Sequence, residues 1–67
     1  MYKNLEMCIF EQRLSKKEIA KTLGIGYNTL LDKLAGKYPM KLDEAFRIRN
    51  EFFPDKTFDW LFEKNVA

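Results

Sequence analysis

The chain contains no histidine and a single cysteine, Cys8. Without histidine it lacks the commonest metal ligand and the usual general base at neutral pH. With one thiol it can form neither an intrachain disulfide nor a cysteine-based zinc site. It also has no glycine-rich phosphate loop and no carboxylates at metal-ligand spacing. Asp55 and Asp59 flank a helix start, where capping accounts for them. No enzymatic activity, cofactor, metal or small-molecule substrate is expected. A short secreted domain normally carries several paired cysteines. No apolar run approaches the roughly 18 residues of a membrane span, and the charged start Met-Tyr-Lys-Asn does not read as a signal peptide. The expected location is the cytoplasm, away from membranes.

Glycine and proline are also scarce, at three and two among 67 residues, while 46% of the chain is apolar. That composition belongs to a folded domain rather than a disordered one, and the length allows one domain with a limited core. The net charge of +2 decides little, but its distribution is uneven. Residues 1–41 carry eight Lys/Arg against four Asp/Glu, and residues 42–67 carry four against six. One end is therefore cationic and the other mildly acidic. Such a surface suits a polyanion on one face, although on charge alone a plain solvated surface is the favoured account.

Periodicity predicts five helices and no strand. The first covers 3–12, with Leu5, Cys8, Ile9 and Gln12 on one stripe, which makes Cys8 a core residue. The second opens on Ser15 with Glu18 three residues on, a capping-box spacing, and buries Ile19, Ala20 and Leu23. A third runs from Tyr27 to Ala35, with Leu30 and Leu34 inward and Leu31 on the neighbouring stripe. The fourth covers about 42–53, with Leu42, Ala45, Ile48 and Phe52 at helical spacing and Pro54 ending it. A short fifth follows Thr57 through Phe58, Leu61 and Phe62.

Gly24 and Gly26 stand between the second and third helices, in Leu-Gly-Ile-Gly-Tyr. Each costs up to about 1 kcal/mol relative to Ala inside a helix, so their place needs a reason. Two short helices crossing steeply need a small residue where their backbones approach, which is Ala20. They also need a tight left-handed turn, which Gly24 can adopt. Ile25 then plugs the turn, and Ile19, Leu23 and Leu30 fill the angle.

Residues 14–37, LSKKEIAKTLGIGYNTLLDKLAGK, resemble the phage repressor/Cro-type (XRE-like) helix-turn-helix DNA-binding domain. Leu14-Ser15, Glu18-Ile19-Ala20, Leu23-Gly24-Ile25 and Thr29-Leu30 carry the likeness. Three positions depart from the pattern: Lys33 stands where an apolar residue is usual, with Leu34 taking the core contact. Gly26 replaces a Ser or Thr cap, and Lys41 stands at the expected cap of the fourth helix. The resemblance implies a compact all-α domain of five helices. It further implies a transcriptional regulator that binds double-stranded DNA at a palindromic operator as a homodimer.

The same resemblance puts the start of the third helix in the major groove and offers Tyr27, Asn28, Leu31 and Asp32 to the bases. The Asn28 amide suits adenine, Leu31 a thymine methyl, and Asp32 only a cytosine amino group. Read simply as residues, Tyr27 shields a helix start, Asn28 is a polar residue in a first helical turn, Leu31 is part core, and Asp32 is ordinary helix surface. Lys16 corresponds to the family's phosphate anchor at the start of the second helix. Lys17, Lys37 and Lys41 are further phosphate contacts expected from the flanking loops.

Aromatic residues crowd the acidic end. Phe52, Phe58 and Phe62 fit core stripes, whereas Phe53 and Trp60 fall off them and are the expected dimer contact, or else lap over a small core. A rival reading keeps the scaffold but makes it a protein-interaction module that binds no DNA. No cation occupies the four readout positions, and one of them is Asp32.

Overall fold

Side-chain caps at Ser15 and Thr57 open two of the helices, and left-handed glycines at positions 24 and 36 close two. The computed structural model describes residues 2–64. It contains α1 (Lys3–Glu11), α2 (Lys16–Leu23), α3 (Tyr27–Ala35), α4 (Leu42–Phe52) and α5 (Phe58–Leu61), with no strand among the described residues. Five helices in the expected order make this a small all-α domain, with extents of 26 × 25 × 22 Å.

The α2 boundaries fall where its signals lie. Ser15 is extended, and its Oγ accepts the Glu18 backbone N–H at 3.4 Å. At the other end Gly24 is left-handed, with φ 72°. The Ile25 N–H donates to the Ala20 carbonyl at 3.0 Å and the Gly24 N–H to that of Lys21 at 3.1 Å. This doubly bonded C-terminal motif turns the chain directly into α3.

The two glycines are not equivalent. A Cβ on Gly24 would meet nothing within 4 Å, so its requirement is the backbone angle alone. Gly26 is extended at φ −70°, and a Cβ there would make ordinary contact with Thr29 Oγ1 at 3.7 Å. Its position as the α3 cap is open to a side chain.

α2 packs on α3 and α4, and α5 packs on α1 and α4. The core joins Leu5, Cys8, Ile9, Ile19, Ala20, Leu30, Leu34, Ile48, Phe53 and Leu61. Burial pushes the Cys8 thiol above its ordinary pKa, in keeping with a core role. Ala20 is 3% exposed at the meeting of α2 with its neighbours. Ala20→Leu is therefore expected to overpack the angle and lower stability by roughly 1–3 kcal/mol. Gly24→Val should lose on the order of 1–2 kcal/mol through strain alone. Urea melts check both; two variants as stable as the parent would remove the turn as a structural requirement.

Four expectations change. α1 stops at Glu11, and Gln12 lies beyond it, exposed rather than on the stripe. Arg13 then takes a left-handed φ of 53°, which lets the Leu14 N–H return to the Ile9 carbonyl. Leu42 is 64% exposed. As the first residue of α4 it lies at the edge of the inward stripe, and Glu44 occupies the buried position instead. Phe53, expected at the surface, is fully buried. It stands just past α4 with φ −135°, where helical spacing no longer says which way a side chain points.

The departure at Lys33 has a clear account. Lys33 is buried, and its Nζ donates to Glu44 Oε1 of α4 at 2.6 Å. The same oxygen accepts the Lys41 backbone N–H at 3.1 Å. One carboxylate therefore neutralises the core lysine and caps α4, which needs no capping side chain from Lys41.

Four rings run in series across the far side. Phe46 stacks on Phe58 at 4.5 Å, Phe58 lies 5.1 Å from Phe62, and Phe62 meets Tyr2 edge-on at 5.7 Å. Asn4 Nδ2 adds a hydrogen bond to the Trp60 carbonyl at 2.8 Å, tying α1 to α5.

Candidate nucleic-acid interface

The starts of α2 and α3 come together at one surface. Lys17 Nζ lies 5.8 Å from the Tyr27 ring centroid, so the first turn of α2 touches the first residue of α3. Tyr27 is 42% exposed, and Asn28 and Thr29 beside it are exposed. The buried residues of α3 are Leu30, Lys33 and Leu34. At about 100° per residue, the direction opposite to them passes through Asn28, with Leu31 and Asp32 on either side, both half-buried. Asn28, Leu31 and Asp32 thus share the outward half of α3, with Asn28 central, whereas Tyr27 lies one turn before Leu30 on the inward side and is exposed as the first residue of the helix. Thr29 is exposed at the margin of this face.

The expected phosphate lysines lie at both ends of that face, in unequal states. Lys16 is half-buried, and its Nζ donates to Glu6 Oε2 on α1 at 3.2 Å. Lys17 is exposed over Tyr27. Beyond the far end of α3, Lys37 lies 4.0 Å from Asp32 Oδ1, a loose pair that partly offsets the one carboxylate on the outward face. Lys41 is exposed and lines a small hollow of about 260 Å³ with Leu23, Ile25 and Arg47. Lys16 and Lys17 therefore converge with Tyr27, Lys37 sits beside Asp32, and Lys41 stands nearer the α2–α3 turn.

Two neighbours of this surface escaped the sequence reading. A groove of about 640 Å³ runs beside it, lined by Glu6, Phe10, Arg13, Leu14, Lys16 and Tyr27 among others. Phe10, 82% exposed, forms part of its wall. Arg47 Nη1 donates to the Thr22 carbonyl at 3.3 Å, bracing the end of α2 from α4. Both arise from contacts between helices, for which local periodicity gives no signal.

At the aromatic end Trp60 is 38% exposed, with Lys56 Nζ 5.6 Å from its ring centroid. Phe53 contributes nothing to this surface. Its place among the exposed apolar groups is taken by Phe46, 45% exposed, and by Leu42 one turn before it on α4.

Comparison with protein-family models, with curated proteins and with solved structures finds no match in any of the three. No helix among the described residues is long and apolar enough to cross a membrane. The functional reading therefore stands on the geometry and on the resemblance of residues 14–37.

Proposed function

We propose that the chain is a sequence-specific DNA-binding transcriptional regulator of the repressor/Cro type. It lays the first turn of α3 in the major groove of a palindromic operator and acts in the cytoplasm as a homodimer. The observation that carries this reading is Asn28 at the centre of the solvent face of α3, between Lys16 and Lys17 at one end and Lys37 at the other. A side-chain amide flanked by phosphate-seeking cations suits base reading with backbone anchoring. The dimer contact in this reading uses Trp60 and Phe46, the exposed aromatic groups of the acidic end.

The test separates anchoring from reading. Lys16→Ala should weaken binding to every duplex alike and reduce the salt slope by about one ion. Asn28→Ala should keep the slope, lose about 1–3 kcal/mol on the preferred site selected from a random pool, and lose little on random DNA. Equal losses on both DNAs would end the reader role of Asn28.

The rival, a protein-interaction module without DNA affinity, is favoured by Asp32 on the outward face and by Leu42 and Phe46 left open on α4. A parent protein that retards no duplex even at low salt would decide for it.

A further inference from the structure

Lys16 does not wait free at the start of α2. Its ammonium is already on an oxyanion, Glu6 Oε2, supplied by α1 from ten residues earlier. The carboxylate is only half-satisfied: Glu6 Oε1 is shut from solvent and has no hydrogen-bond partner among the described residues. A charged oxygen in that state is unfavourably placed, and the pair gains less than two bonded oxygens would give. The side chains of Lys16 and Glu6 are 31% and 37% exposed, so the contact is within reach of solvent. A pair this exposed is weak enough for a stronger anion to displace. The adjoining groove gives that anion room to approach, with Arg13, held left-handed, as a second cation on its wall.

Resting on the DNA-binding reading, we infer that Glu6 is an internal stand-in for a DNA phosphate, seated on Lys16 until the duplex displaces it. Binding then proceeds by exchange of oxyanions. A phosphodiester oxygen takes the Lys16 ammonium, and the Glu6 carboxylate is released into the open groove. The carboxylate thereby sets a threshold: weak or sparse anions fail to open the pair, and a phosphate presented within a duplex succeeds.

The experiment measures the affinity of the full chain for a random-sequence duplex across a salt series, since a phosphate contact is blind to sequence. Glu6→Gln keeps the shape of the side chain and removes the competing charge. It is expected to tighten binding about two- to fivefold at low salt, the equivalent of an exposed ion pair. In a Lys16→Ala background the same change should have no effect, because the cation it frees is gone. Glu11→Gln removes an equal charge from the same groove, and any gain it gives should survive Lys16→Ala. A gain from Glu6→Gln that also survives would make Glu6 a general field effect and overturn the inference. Weaker binding by Glu6→Gln would overturn it too, since Glu6 would then be orienting Lys16 for DNA. If the parent binds and Glu6→Gln changes nothing, the exchange fails while the DNA reading stands. If neither protein binds any duplex although both give the parent's helical circular dichroism, the DNA reading falls and the exchange with it.

Discussion

Phe53→Ala is expected to remove about 3–5 kcal/mol of stability, the loss typical of emptying a buried aromatic site. The ring is fully enclosed, and the backbone around it is fixed from both sides. The Phe53 N–H donates to the Arg49 carbonyl at 3.0 Å, and the Phe53 carbonyl accepts from the Lys56 N–H at 3.1 Å. Arg49 Nε closes the same loop on the Lys56 carbonyl at 2.9 Å. A segment held this firmly cannot swing inward to fill the space. A domain of this length has only a few kcal/mol in reserve, so a large share of the variant should be unfolded at 25 °C. Trp60→Ala, at the surface, should leave the melt nearly unchanged and, in the proposed homodimer, lower the mass seen in sedimentation. Melts and sedimentation of the two variants side by side check this. A Phe53→Ala protein that melts like the parent but dissociates would return Phe53 to the interface.

Glu44→Ala is expected to lose a comparable 3–5 kcal/mol, because it strands the Lys33 ammonium inside the domain. Both side chains are about nine-tenths covered, and this carboxylate is the acceptor that the Lys33 ammonium uses. The double change Lys33→Met with Glu44→Leu should be far milder than Glu44→Ala, since neither charge is then buried. The pair also gives stability a dependence on acid. Burial alone would raise the Glu44 pKa, but the hydrogen bonds from Lys33 and the Lys41 N–H, with the charges of both lysines, outweigh it. The folded value lies below the ordinary 4.5. A carboxyl depressed in the folded state contributes stability that is fully present above its unfolded pKa. That contribution is lost as pH falls from about 4.5 through the lower folded value. Urea midpoints between pH 7 and pH 3 should therefore fall with acid in the parent. In the double variant this fall should be smaller; an identical fall would remove Glu44 as its source.

Legibility in the sequence followed the range of the interaction. Ser15 and Gly24 act on backbone within three to five residues, and α2 begins and ends where they indicate. Ile19, Ala20, Leu30 and Leu34 repeat at helical spacing and are buried as that spacing requires. Phe53 failed because helical spacing was applied to a residue one position past the end of α4. Leu42 failed at the opposite end of α4, where its neighbour Glu44 turns inward to meet a charge from α3. Lys33 was recognisable as a misfit in an apolar position, but its partner lies eleven residues away on another helix. The candidate surface divides in the same way. The outward direction of Asn28 is a property of α3 alone, whereas Lys16 on Glu6 and the groove beside Phe10 exist only once α1 and α2 have packed.

The ring series from Phe46 to Tyr2 also bears on the order in which the chain closes and opens. The α2–α3 contacts span a short stretch of sequence, so they close a small loop at little entropic expense. The Asn4–Trp60 bond joins groups 56 residues apart. Its loop closes only after the intervening helices have been gathered. α5, four residues long, has no stability of its own and exists through those rings. Docking of α5 is thus the natural last step of folding and its release the first step of unfolding. Hydrogen exchange should be fastest for amides of α5 and the start of α1, and slowest through α2, the turn and α3. The half proposed to face DNA can then persist while the ends breathe, so the surface proposed to meet the operator is also the part of the molecule slowest to come apart.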